Sequence, residues 1–139
     1  MLLIVVGSTL IAEMRDRPLA YRLREEVERR LDGLMSADAA SDAERLLPVV
    51  CNDLWYVNAR DLASRPVIAI GEPNSNAATA LISNRLPPGL VVESSLRIHL
   101  DAEFIDLRAA IWGADAEATA SAIDLFAQRY LDEFLRAAS

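Results

Sequence analysis

The stretch VIAIGEPNSNAATALISNRLP, residues 67–87, decides the fold. Val67, Ile68, Ala69 and Ile70 form an unbroken apolar run rich in branched side chains, which predicts a strand covered on both faces. Gly71 turns the chain. Asn74, Ser75 and Asn76 then supply the polar start of a helix, and Ala77, Ala78, Ala80 and Leu81 give that helix high propensity and a slim profile. Pro87 and Pro88 end it. A strand passing through a glycine into a helix is the unit from which α/β sheets are built. The free N–H groups at such a helix start also bind anions in many folds. This turn lacks the residues for a dinucleotide, however. The G-x-G-x-x-G pattern needs glycine where Pro73 and Asn76 stand, and Glu72 repels phosphate.

The same arrangement recurs on either side. Leu2 to Val6 is a second apolar run, followed by Gly7, Ser8 and Thr9. The stretch AAIWGADAEATASAI, residues 109–123, repeats strand, glycine, polar turn and alanine-rich helix. Asp16 and Pro18 announce a helix, with Asp16 as the expected N-cap. Its apolar stripe is Ala20, Leu23, Val27, Leu31 and Leu34. Residues 36–45 read as an exposed loop and residues 46–51 as a strand. Residues 52–66 read as irregular with a short helical turn near 59–63. Within them Trp55 and Tyr56 either close the core or face a partner. Beyond Gly89, Leu96, Ile98 and Leu100 alternate with Arg97, His99 and Asp101, predicting a strand with one wet face. Residues 107–112 predict another strand and residues 115–137 a single amphipathic helix. The expected fold is a single α/β domain over residues 1–139. It is a Rossmann-like three-layer αβα sandwich with a mostly parallel sheet of about five strands and an antiparallel edge pair.

Composition narrows the function. The hydrophobic fraction of 53% and mean hydropathy of +0.17 predict a large buried core and self-association into a homodimer or other homo-oligomer. The acidic balance, net −7, disfavours nucleic acid and anionic membranes as partners. Arg22, Arg24, Arg29 and Arg30 are interleaved with Glu25, Glu26 and Glu28, which describes a solvated helix face. All 14 basic residues are arginine. A Walker-A lysine, a Schiff-base lysine and a lysine general base are therefore excluded. One cysteine, Cys51, permits no intrachain disulfide and fits a reducing cytoplasm. The opening run MLLIVVGSTLIA is broken by Gly7, Ser8 and Thr9, and reads as a buried strand rather than a signal peptide.

The candidate site gathers the three glycine turns. Open α/β sheets bind ligands beyond the carboxyl ends of their strands. If the turns share one edge, Gly7, Ser8, Thr9, Asp53, Gly71, Asn74, Asn76 and Gly113 line a site for a small molecule or anion. No motif names a cofactor or a metal. Asp115 and Glu117 suit the first turn of a helix. Asp101, Glu103 and Asp106 form a carboxylate cluster of the kind hard cations use, with spacing unlike an EF-hand and an alternative reading as solvated turn acids. A nucleophilic arrangement of Cys51, His99 and Asp53 is a further alternative, although His99 reads as a surface residue and no local motif supports the trio.

The segment GADAEATASAIDLF, residues 113–126, resembles the G-x-D-x-x-x-T-x-x-A stretch of S-layer-type α/β modules. IAIGEPNSNAATALI, residues 68–82, is similar to a glycine-to-asparagine turn in such modules. The resemblance implies a noncatalytic structural or binding module and transfers no functional residue. The sequence thus frames two readings, a binding or structural module and an enzyme or small-molecule binder using the glycine turns.

Overall fold

The computed structural model describes residues 1–36 and 46–139. Most of the loop expected at residues 36–45 lies outside them. Six strands form one sheet: β1 (Leu2–Val6), β2 (Pro48–Asn52), β3 (Val67–Ile70), β4 (Pro88–Val92), β5 (Leu96–Leu100) and β6 (Arg108–Gly113), in the order β2-β1-β3-β6-β5-β4. The strands β2, β1, β3 and β6 run parallel. β5 is antiparallel to both β6 and β4. The sheet is mostly parallel with an antiparallel edge pair, as expected, but has six strands rather than five. The extra strand is β4, which opens at Pro88, where the sequence marks only the end of the preceding helix. Pro88 is tolerated because β4 is an edge strand, where no outer neighbour needs its missing N–H.

The helices are α1 (Leu10–Arg15), α2 (Arg17–Ser36), α3 (Asp53–Asn58), α4 (Ala77–Arg85), α5 (Ala116–Arg129) and α6 (Leu131–Ala138). The alternating side chains of β1 divide the core. Leu2, Ile4 and Val6 pack with the apolar stripes of α2, α5 and α6. Leu3 and Val5 face the other way, with Tyr56 of α3, Leu62 of a short 3-10 turn, and Ala78 and Ile82 of α4. This two-sided burial explains why β1 and β3 read as continuous apolar runs.

Three boundaries differ from expectation. The segment after β2 is a true helix, because Asn52 caps it by accepting from the Trp55 N–H at 2.8 Å. The last helix breaks at Tyr130, and the change of direction lets Leu131, Phe134 and Leu135 of α6 enter the core. Asp16 caps nothing with its side chain; it ends α1 and precedes α2, fully buried.

Candidate functional site

The sheet order brings the three glycine turns to one edge. Gly7, Ser8 and Thr9 follow β1, Asp53 follows β2, Gly71, Asn74 and Asn76 follow the central β3, and Gly113 closes β6. All four strands are parallel neighbours, so these residues meet at their carboxyl ends. The chain leaves β1 for the α2 face and leaves β3 for the α4 face. The gap between β1 and β3 is therefore the topological switch point, where α/β sheets hold ligands.

Asn76 fills that gap. Its side chain is buried, and Nδ2 donates to the carbonyls of Val5 at 3.0 Å and Ile70 at 2.9 Å, joining the ends of β1 and β3. Its Oδ1 accepts from the N–H groups of Ala78 at 2.9 Å and Thr79 at 3.3 Å, capping α4. The helix N–H groups that would hold an anion are thus engaged by the protein's own side chain.

The remaining polar groups also turn inward. The Ser8 hydroxyl donates to Asp53 Oδ1, and Asp53 Oδ2 accepts from the Ala77 N–H at 2.8 Å. Thr9 Oγ1 accepts from the Ala12 N–H at 3.2 Å and caps α1. At the third turn Thr119 Oγ1 accepts from the Gly113 N–H at 3.0 Å and donates to the Asp115 carbonyl at 2.9 Å. Asp115 caps α5 by accepting from the Ala118 N–H at 2.7 Å. Asn74 sits exposed on its turn.

The glycines mark close packing against protein. A Cβ on Gly7 would overlap the Ser75 carbonyl oxygen, and one on Gly113 would meet the backbone of Ala118 and Thr119. Gly71 adopts φ +117°, and a Cβ there would stand 2.6 Å from Asp16 Oδ2. Asp16 is the residue sequence reasoning missed. Arg15 Nε donates to its Oδ1 at 3.1 Å, while Oδ2 and Arg15 Nη2 are buried without a hydrogen-bond partner. Burial raises the Asp16 carboxyl above the ordinary aspartate value, outweighing the lowering by the Arg15 hydrogen bond and charge. No local pattern reveals this contact, which joins residues far apart in the chain.

The nucleophilic alternative is overturned. β1, β3 and β6 separate Cys51 on β2 from His99 on β5. Four strand spacings are about 19 Å, far beyond hydrogen-bond reach. Burial also pushes the Cys51 thiol up to about 11, which keeps it protonated at neutral pH. His99 is buried rather than on a wet face. It stacks on Trp112 at a centroid distance of 5.1 Å, and Nδ1 lies 2.9 Å from the Leu86 carbonyl oxygen. β5 is an interior strand, and the chain leaving α4 covers its second face.

The acidic cluster is a turn. Asp101 accepts from the N–H groups of Glu103, Ile105 and Asp106 at 3.0 to 3.1 Å, which lowers its carboxyl below the ordinary range. The arginines of α2 are paired or stacked as well. Arg29 and Arg30 bond Glu26, Arg22 lies 3.9 Å from Asp124, and Arg24 stacks on Tyr21.

Depressions remain near these elements, two of them beside the carboxyl edge and along α2. A cleft of about 320 Å³ lies along the carboxyl edge beside Gly113, lined by Glu72, Ser94, Arg97 and Trp112 among others. A groove of about 570 Å³ runs between α2 and α5, with Leu19, Leu23 and Ile123 among its apolar residues and Arg22, Glu26 and Asp124 among its charged ones. Among the described residues no helix is long and apolar enough to cross a membrane. No protein-family model, no curated protein and no solved structure matches the chain.

Proposed function

We propose that this chain is a noncatalytic binding module of the cytoplasm that acts through protein contact at the carboxyl edge of its sheet. The observation that carries this reading is the filled switch point. Asn76 occupies the gap between β1 and β3, and the glycine turns close on Ser75, Asp16 and the start of α5. Open α/β sheets that bind small molecules hold them in that gap. The protonated Cys51, its distance from His99 and the absence of lysine support the same reading. So does the resemblance of residues 113–126 to S-layer-type modules.

Thermal unfolding against nucleotides, sugar phosphates, amino acids and divalent metals tests it. A ligand at a hundred times its Kd adds about 2.7 kcal/mol and raises the midpoint visibly. The module reading expects a flat panel, and a clear rise overturns it. One observation favours a second reading, a small-molecule binder. The cleft beside Gly113 combines a carboxylate (Glu72), a guanidinium (Arg97) and an indole (Trp112), and its volume reaches the lower end of ligand sites. A midpoint rise that Arg97→Ala abolishes is the result expected of that reading.

A further inference from the structure

The cleft beside Gly113 holds two opposite charges that do not meet. Glu72 follows β3, Trp112 lies on β6 and Arg97 on β5, so the three come from successive strands at one edge and line the same cleft. Arg97 and Trp112 stand directly opposite each other across β5 and β6, which puts both side chains on one face of the sheet. Two strand spacings, about 10 Å, separate the backbones that carry Glu72 and Arg97. Among the described residues the Arg97 guanidinium has no ion pair or hydrogen bond, and no arginine pairs with Glu72. Glu72 Oε1 accepts from the Ser75 hydroxyl at 3.2 Å, a neutral partner that leaves its charge uncompensated.

The indole between the two charges is fixed. His99 stacks on Trp112 at 5.1 Å with 11° between the ring planes, and His99 Nδ1 lies 2.9 Å from the Leu86 carbonyl oxygen. The Ala114 N–H donates to the Ser95 carbonyl at 2.7 Å and ties the β4–β5 turn to the end of β6. Walls set before a ligand arrives lower the ordering cost of binding. A simple anion would meet Arg97 and be repelled by Glu72, and a simple cation would meet the reverse. A molecule with opposite charges at its two ends and an apolar body satisfies all three side chains. Amino acids and short peptides are such molecules, and the charged ends of an extended dipeptide stand roughly 7 Å apart.

We propose that this cleft binds a zwitterion of the amino-acid or short-peptide class. Its carboxylate meets Arg97, its ammonium group meets Glu72, and its apolar part lies against Trp112. The inference rests on the small-molecule reading of the cleft and names the ligand class; a peptide ligand also agrees with protein contact at this edge. Titration of the wild type, followed by the indole N–H resonance of Trp112 in NMR, tests it. The probes are leucine, leucyl-leucine, N-acetyl-leucyl-leucine and leucyl-leucine amide. Leucyl-leucine is expected to bind about tenfold more tightly than either blocked form, each of which lacks one charge. Arg97→Gln is expected to weaken leucyl-leucine and the N-acetyl form about tenfold and to leave the amide unchanged. Glu72→Gln is expected to do the converse, weakening leucyl-leucine and the amide and sparing the N-acetyl form. Neither exchange removes an internal contact, because Arg97 is unpaired and glutamine keeps an acceptor for Ser75. A merely structural role for either residue would not produce this crossed pattern.

No saturable shift with any of the four compounds up to about 10 mM overturns the proposal. So does a blocked form that binds as well as its parent, or binding indifferent to both exchanges. Tighter binding of leucyl-leucine than of leucine supports the proposal with a peptide as the source, and the reverse order supports it with a free amino acid. The readings fail separately. A midpoint raised through Arg97 by a nucleotide or a sugar phosphate, with the four probes silent, strikes the inference and leaves the small-molecule reading. Silent probes with a flat thermal panel strike both and leave the module reading in place.

Discussion

Asn76 uses both ends of one amide to hold three elements, so its neighbours depend on which atom stands where. Asn76→Ala leaves the Val5 and Ile70 carbonyls buried without their donor and uncaps α4, with an expected loss of about 3 kcal/mol in urea denaturation. Asn76→Asp is expected to cost more at pH 7, because a carboxylate oxygen then faces two carbonyl oxygens. Acidification should narrow that difference, since the protonated acid regains one donor. Glycines give a sharper contrast. Gly7→Ala drives a Cβ into the Ser75 carbonyl and is expected to destabilise by about 3 kcal/mol or more. Gly33→Ala, in α2, meets no atom within 4 Å and is expected to stabilise by about 0.5–1 kcal/mol. Thermal or urea midpoints of the two variants decide both. The sequence marks Gly7 and Gly71 as turns, but a turn that welcomes a ligand and one packed against its own chain have the same local composition. Only the long-range partners, Ser75 and Asp16, distinguish them.

Elements differ in how firmly they are held. β1 and β3 are wholly buried, and each lies between two strands, whereas Pro88, Gly89, Val91 and Val92 of the edge strand β4 are exposed. Hydrogen exchange by NMR is expected to show the slowest amides in β1 and β3, at the global opening limit, and faster exchange in β4. Uniform protection across the sheet would contradict this. The same asymmetry governs what the sequence discloses. Central strands, buried on both faces, appear as unbroken apolar runs, and α2 and α5 appear as stripes. β4 begins with a proline and a glycine, and its strand character comes from pairing with β5. His99 illustrates the limit of the alternation rule. Period two separates two faces but cannot say whether the second face is wet, and here the chain beyond α4 covers it.

At the scale of the whole molecule, the pH dependence of stability should carry the mark of Asp16. Its carboxyl titrates higher in the folded chain than in the unfolded one, chiefly through burial. The stability it contributes is therefore present below the ordinary aspartate value of 3.8 and is lost as pH rises through the raised folded value. At pH 7 the buried charge is a burden. Asp16→Asn, which keeps an acceptor for Arg15 Nε, is expected to unfold at higher urea than the wild type at pH 7, and the gap should close as pH falls towards 3.8. A gap that widens on acidification would reverse the assignment. Strand order also bears on how the chain is made. β1 comes first in synthesis yet lies inside the sheet, between β2 and β3. Its five apolar residues leave the ribosome well before Pro48–Asn52 or Val67–Ile70 exist to cover them. At about 5–20 residues per second, the nascent chain carries a naked LLIVV segment for seconds. During that interval the fold itself cannot shield it.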